Sequence, residues 1–454
     1  MRKDQPPVAA SRSIVSGPEV LPVSSAAPAR LATPLMPVDA GERIVTLDVL
    51  RGIALFGVVA ANIWLWFSGI NFRFPDYNAE VWSGSADGIA FLFVAFFIAT
   101  KAMTTFSFLF GLGFAIQMQR TEARGRSIAG HHSRRLAVLL LIGALHAIFL
   151  WYGDILFLYA LLGFGLLLFR KRRDTTLLVW SAVFVVVLPI LLGAVPFVVA
   201  LANPGAGPEA ATVLGEMAER NAATLAYFAS GEPAQIVRGN LAVLQQWWLT
   251  PKALLQLGVF GVFLLGLYAG RHRIFENPVA HGALFRRLIL IGFPLGFVAT
   301  GIGLGLRSMP VEQMVSLPWL PLALASTIAV GTVPFASAYI ATATLLMERP
   351  VWRRRLAHFA PVGRMALTNY LAQTVICIAL FYGGGLVGRV GALFGLIVAL
   401  VIFSVQMVCS AWWLARFRFG PLEWLWRSAV YGRLQPMRIA PALAPAPGVQ
   451  AGIS

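Results

Sequence analysis

Apolar runs long enough to cross a lipid bilayer recur along this 454-residue chain, and no other feature limits its fold so tightly. A helix rises 1.5 Å per residue, so about 20 apolar residues span the ~30 Å hydrocarbon layer, where each backbone polar group must find its partner within the protein. The runs are interrupted by polar clusters rather than hairpin turns. Hydrophobic residues make up 58% of the chain and charged ones 12%, about half the charged fraction of a soluble domain. The expectation is an all-α polytopic membrane bundle of about ten transmembrane helices. They are placed at roughly 46–67, 88–118, 134–151, 154–170, 177–201, 252–270, 286–306, 318–347, 364–386 and 391–415. The second and eighth runs are long, which predicts tilt or a break, in the second near Lys101.

Basic residues set the orientation. With both termini cytoplasmic, the clusters Arg120 to Arg135, Arg170-Lys171-Arg172-Arg173, Arg271 to Arg287, Arg349 to Arg364 and Arg416 to Arg438 all face inward. Only Arg73, Arg220, Arg238, Lys252, Arg307 and Arg389 then face outward. The net charge of +17 reads as topology and contact with anionic membrane lipids, with no call for a nucleic acid partner.

Residues 1–42 are rich in Pro, Ala, Ser and Val, without helical periodicity or an apolar segment followed by a cleavage site. They are expected to form a disordered cytoplasmic tail, and 439–454 a second one. Between the tails lie an N-terminal transmembrane half, 43–201, and a C-terminal half, 252–438. A periplasmic loop, 202–251, joins them, with Glu209 to Tyr227 predicted as an amphipathic helix on the membrane surface. Cys377 and Cys409 both fall in apolar spans, which supports neither a disulfide nor a metal site. No internal repeat is evident.

His146 is the one histidine of six inside a predicted span, eleven positions after Arg135, which opens that span. Eleven steps return to within about 20° of the same face and about 16 Å along the axis. A cation at one surface and an imidazole deep in the bilayer are therefore predicted to line one wall of a channel. Imidazole titrates near neutral pH and can take a proton from an attacking nucleophile; the plainer alternative is a hydrogen bond tying two helices together. Asp154 follows at the turn between two spans. It can orient His146 or cap the next helix, and the two roles are compatible.

Asp48 and Arg51 stand at i and i+3 where the first span opens, either as an ordinary anchor with its partner or as a phosphate-binding pair. Asn62, fourteen positions beyond Asp48, can donate to a developing oxyanion or tie helices. Gly111 and Gly113 permit close approach of another helix or of a narrow ligand. Arg364 opens the ninth span, and Asn369, Tyr370 and Gln373 follow, with Asn369 and Gln373 on one face to line a cavity or lock helices. Phe419 to Arg427 reads as an interfacial aromatic segment with a basic end.

At these residues the chain resembles the YeiB family, bacterial membrane proteins carrying the domain of unknown function 418. The marks are Leu47-Asp48-Val49-Leu50-Arg51-Gly52 with Asn62, Phe108 to Phe114, Arg135 to Asp154, Gly363 to Gln373, and Gly420-Pro421-Leu422-Glu423-Trp424 through Arg427. They cover most of 43–438. More remotely, the first half is similar to the transmembrane acyltransferases that include envelope sugar O-acetyltransferases and the lysosomal heparan acetyltransferase. That likeness rests on the Leu-Asp-x-Leu-Arg-Gly opening, the Phe/Gly-rich second span and the interval from Arg135 to His146. The sugar enzymes often carry a histidine near the end of the first span where this chain has Asn62, so a two-histidine mechanism does not carry over. The heparan branch is closer to having Asn there.

The resemblance implies a bacterial inner-membrane protein that takes an acyl group from cytoplasmic acyl-CoA, as in acetyl-CoA, and passes it to an extracytoplasmic glycan, lipid or metabolite. It implies His146 as general base with Asp154 behind it, and Asn62 at the oxyanion. Arg135, Arg51, Asp48 and Arg364 would bind the nucleotide, and Asn369, Gln373, Tyr370, Gly111 and Gly113 would line the cavity. The residues alone leave two alternatives. One is a proton-linked transporter or lipid flippase with His146, Asp154, Asn369 and Gln373 along its path. The other is a non-catalytic component binding a partner through the outer loop. Small residues in several spans would allow a homodimer.

Overall fold

The computed structural model of the protein describes residues 44–73, 81–82, 84–123, 128–203 and 210–439. The tails predicted at 1–42 and beyond Ile439 lie outside the described residues. Apart from one isolated bridge between Phe417 and Arg438, the regular structure among the described residues is helical.

Helix α1 (Val45–Asn62) continues through a π turn, Ile63–Phe67. After it come α2 (Ala86–Phe97), α3 (Ala99–Ala123), α4 (Ile128–Phe149) and α5 (Leu156–Phe169). Another π turn joins α6 (Asp174–Ala182) to α7 (Leu188–Ala202). Helices α8 (Ala210–Ala229) and α9 (Pro233–Trp248) pack as a hairpin. The remaining long helices are α10 (Leu257–Arg271), α11 (Gly282–Arg307), α12 (Leu320–Met347), α13 (Ala366–Cys377) and α14 (Ala392–Leu414), closed by the shorter α15 (Pro421–Tyr431).

Nine helical stretches among the described residues are long and apolar enough to cross a membrane, and the protein is an all-α, polytopic membrane protein. The second span, predicted to tilt or break near Lys101, does break there, at Ile98, with φ −116° and ψ −58°. Two expectations need correction. The span predicted at 154–170 is the 14-residue α5, about 21 Å long, because the chain spends its first residues on the turn at Asp154. The loop at 202–251 holds two helices, and the second of them is partly buried, at Ile236, Asn240 and Val243.

Small residues bring the helices together, as expected where lipid removes any hydrophobic drive for helix association. On α3, a Cβ at Gly111 would strike the carbonyl of Phe263, and on α10 one at Gly266 would strike that of Phe108. In the same way α1 meets the segment before α13, with Gly52 against the Phe359 carbonyl and Gly363 against that of Asp48. These contacts fix where α1 and α13 stand relative to each other. Leu141, Leu168, Leu191 and Val408 are among the large apolar side chains left exposed, as a surface solvated by lipid requires.

Candidate active site

The bundle has an arginine-rich end, where α1, α4 and α13 begin, and an opposite end, where α1 and α4 finish. At the opposite end His146 occupies the last turn of α4 and is 3% exposed. Its Nδ1 lies 2.7 Å from Asp154 Oδ2, at ion-pair distance though off the axis of a ring N–H hydrogen bond. The other carboxylate oxygen, Oδ1, accepts the Phe157 amide at 2.6 Å and so caps the start of α5. One side chain thus contacts the imidazole and starts the next helix. His146 Nε2 is buried without a hydrogen-bond partner among the described residues.

The turn between them is held from outside. Asn240 of α9, fully buried, accepts the Tyr152 amide at 3.2 Å and donates to the Ile148 carbonyl at 3.1 Å. Tyr370 of α13 accepts the Ile155 amide at 3.3 Å, and its ring centre is 5.4 Å from that of His146. Aromatic rings close over this end, with Phe67 stacked on Trp151 at 4.6 Å and Phe228 stacked on Tyr382 at 4.9 Å. Nothing in the apolar pattern singles out Asn240, which sits in a stretch read as an outer loop. The signal that could have found it is a lone Asn among the apolar positions Ile236, Val243 and Trp247 of an amphipathic helix.

Tyr370 also lines a crevice with Val59, Asn62, Gln373 and Thr374, too narrow to admit a water molecule. The structure therefore brings Asn62, Tyr370 and Gln373 together beside the His146 pair. Asn369 has a different job. Its amide donates to Ser410 Oγ at 2.9 Å and to the Val362 carbonyl at 3.3 Å, while Gln406 binds both Gln373, at 2.8 Å, and the Asn369 carbonyl, at 3.0 Å. This ladder locks α13 to α14. Gln406 and Ser410 were invisible as partners because their pairing depends on how two distant spans register.

At the arginine-rich end, Arg51 donates to Asp48 at 2.8 Å. Gly113 faces it, since a Cβ there would stand 3.6 Å from Arg51 Nη2, an ordinary contact, whereas Gly111 faces α10 instead. Two positions apart on a helix, the glycines point about 200° from each other and cannot share a cavity wall. Arg135 donates to Gln117 at 2.6 Å, and its guanidinium lies 4.3 Å from the Trp426 ring centre. Arg51 and Arg427 add two positive charges within electrostatic reach of it. Arg364 is exposed, at the end of a short helix immediately before α13.

Neither the crevice nor the larger cavity beside α2 is lined by Arg135 or His146. The predicted channel wall is closed here: between the two residues α4 turns Leu139 into a core with Phe114, Leu158 and Tyr159. Glu423, in the segment read as interfacial, is buried and accepts the Leu367 and Thr368 amides at 2.7 and 3.1 Å and the Thr368 hydroxyl at 2.6 Å. It caps α13 from α15, and burial raises its carboxyl pKa. Among the described residues no group of three or more His, Cys, Asp or Glu is placed to hold a metal ion.

A family model described as a protein of unknown function, DUF418, matches residues 269–433. The chain is 34% identical over 424 residues to the uncharacterized protein YxaH of Bacillus subtilis (strain 168), covering 89% of this chain and 98% of that one. It is 29% identical over 406 residues to the uncharacterized protein YeiB of Escherichia coli (strain K12), covering 85% and 96%. A 39.9 kDa protein from the amylase 3' region of Bacillus acidopullulyticus is 28% identical over 417 residues, 88% and 97% of the two chains. No solved structure matches. Likeness over nearly the full length of such relatives, together with the matched C-terminal region, means that this chain belongs to the DUF418, YeiB-like family of membrane proteins.

Proposed function

We propose that this protein is a membrane-embedded acyltransferase of the bacterial inner membrane, moving an acyl group from cytoplasmic acyl-CoA to a hydroxyl or amine on the outer side. The observation that carries the reading is the buried His146–Asp154 contact, with imidazole Nε2 left for a reacting group. In this reading Nε2 takes the acceptor's proton as its oxygen or nitrogen attacks the thioester carbonyl. The tetrahedral adduct collapses with loss of the CoA thiolate, which receives the proton back from the imidazolium. Asp154 holds the ring and stabilises its charged form, and Asn62, in the adjacent crevice, donates to the oxyanion.

The arginine-rich end lies in the cytoplasm in this proposal. Arg51, Arg135 and Arg427 receive the nucleotide phosphates there, with Arg364 at the rim, since guanidinium forks match phosphate oxygens. The axial distance from Arg135 to His146, about 16 Å, is comparable to the length of an extended pantetheine arm. Because the core around Leu139 is closed, the arm enters only when α4 parts from its neighbours.

The test is binding and turnover of labelled acetyl-CoA by the protein in nanodiscs, with His146→Ala and Arg135→Ala beside the wild type. Saturable binding weakened by Arg135→Ala, with acetyl release abolished by His146→Ala, is expected. Absence of binding across acetyl, succinyl and longer acyl donors would overturn the reading. Uptake by vesicles without any acyl donor would then favour transport.

A further inference from the structure

Lys101 is a basic side chain buried in a long span, and the acyl-transfer reading gives it no role. It lies in the first turn of α3, just past the break at Ile98, and is 3% exposed. Its ammonium donates to the Ala95 carbonyl at 3.2 Å and stands 5.2 Å from the centre of the Phe335 ring. Among the described residues no carboxylate comes within ion-pair distance. A carbonyl and a ring face compensate an ammonium only in part, and a charge withdrawn from water without a counter-ion is among the most costly groups a membrane protein can carry.

Lys101 also lines a cavity of about 150 Å³ that is partly open. Its walls are Leu50, Ile53 and Gly57 of α1, Phe97 at the break, and Ile340 and Ala343 of α12, with Thr105 and Tyr339 as the only other polar groups in its lining. The α1 residues fall on a face turned about 140° from that of Asp48, Arg51 and Asn62, so this cavity and the His146 region lie on different sides of one helix. A cavity of this size with mostly apolar walls has room for part of a hydrocarbon chain. Its single charge is positive. The two properties together specify a ligand with an apolar body and one anionic group.

We propose that this cavity binds an anionic amphiphile, its acidic head paired with Lys101 and its hydrocarbon tail between α1, the α2–α3 break and α12. The open side lets a longer tail continue into the bilayer. A fatty acid and a lysophosphatidate both supply this chemistry.

The experiment uses the full chain in nanodiscs and three photoactivatable probes of one chain length, each with a diazirine near the tail end: a fatty acid, the matching neutral alcohol and a lysophosphatidate. Labelled peptides are mapped by mass spectrometry. Saturable labelling within 97–105 or 339–343 by an acidic probe is expected, with the alcohol at least about tenfold weaker, the factor that one lost charge contact of ~1.4 kcal/mol implies. Lys101→Met should weaken labelling by a similar factor. Ala343→Trp, which leaves the ammonium and fills the cavity, should do so too, and it serves if Lys101→Met does not fold. Preference between the two acidic probes identifies the source. Equal labelling by acid and alcohol, or labelling untouched by both substitutions, overturns the proposal.

Discussion

His146 and Lys101 are buried to the same degree, each 3% exposed, yet the chain treats them in opposite ways. The imidazole meets a carboxylate eight positions along, in a turn pinned by Asn240 from α9 and Tyr370 from α13. Among the described residues the ammonium meets a carbonyl and an aromatic ring, and Lys101 borders an open cavity. For His146 the fold supplies a group of opposite charge, although it leaves Nε2 without a hydrogen bond. A buried charge beside empty apolar space waits for a partner that the fold does not contain.

The contrast can be broken by substitution. The largest effect is expected at His146: its replacement by Ala should lower acetyl release from acetyl-CoA by about 10²- to 10⁴-fold, the usual contribution of a general base. Retained turnover would move the chemistry elsewhere. Next comes Asp154→Ala, which removes both the contact to His146 and the cap on α5. A loss on the order of 3 kcal/mol is expected from thermal unfolding in detergent. Asp154→Asn keeps a capping oxygen, so it should recover most of that stability while turnover stays low. Equal activity of the Asn variant and the wild type would reduce Asp154 to a helix cap.

Asn240→Leu should cost about 2 kcal/mol, because it strips two hydrogen bonds from buried backbone groups of the turn. On the acyl-transfer proposal it should also lower turnover without changing acyl-CoA affinity, since it loosens the His146 end alone. Lys101→Met predicts the opposite sign. Removing a charge compensated only in part should stabilise the delipidated protein on the order of 1 kcal/mol. A lower melting temperature would mean that the bond to Ala95 is structural and that the two buried groups are alike after all.

The smallest effect is expected at Glu423, a buried carboxylate whose two oxygens both accept hydrogen bonds from the fold. Its pKa is raised by burial, so between its ordinary and raised values the folded protein holds a proton that the unfolded chain has released. Stability should therefore fall as pH rises through that window and level off above it. Glu423→Gln should flatten this dependence in melts run across the range, and an unchanged slope would assign it to another group.

Much of this was legible before any coordinate. The apolar runs placed the spans to within a few residues, because a helix in lipid closes its hydrogen bonds locally and its length follows from composition. The nearness of His146 and Asp154 was legible for the same reason, as both belong to one helix end and one turn. Where a span failed, as at α5, polar turn residues had claimed part of the apolar run. The hairpin of α8 and α9 was read as a loop with one surface helix because its polar residues mask a buried stripe.

What the sequence determined by itself, then, was set by contacts between near neighbours: a helical membrane bundle with an arginine-rich end, and an imidazole set close to a carboxylate at the other. Only the tertiary structure decided that Asn240 and Tyr370 hold that turn, that Gln406 and Ser410 take up Asn369 and Gln373, that Glu423 caps α13, and that Lys101 lines a cavity. Each of these except the last joins residues more than 30 positions apart, and the cavity is a space between four helices. Such pairings depend on which helix faces which and in what register, and small residues such as Gly52, Gly111, Gly266 and Gly363 set that register by letting backbones touch.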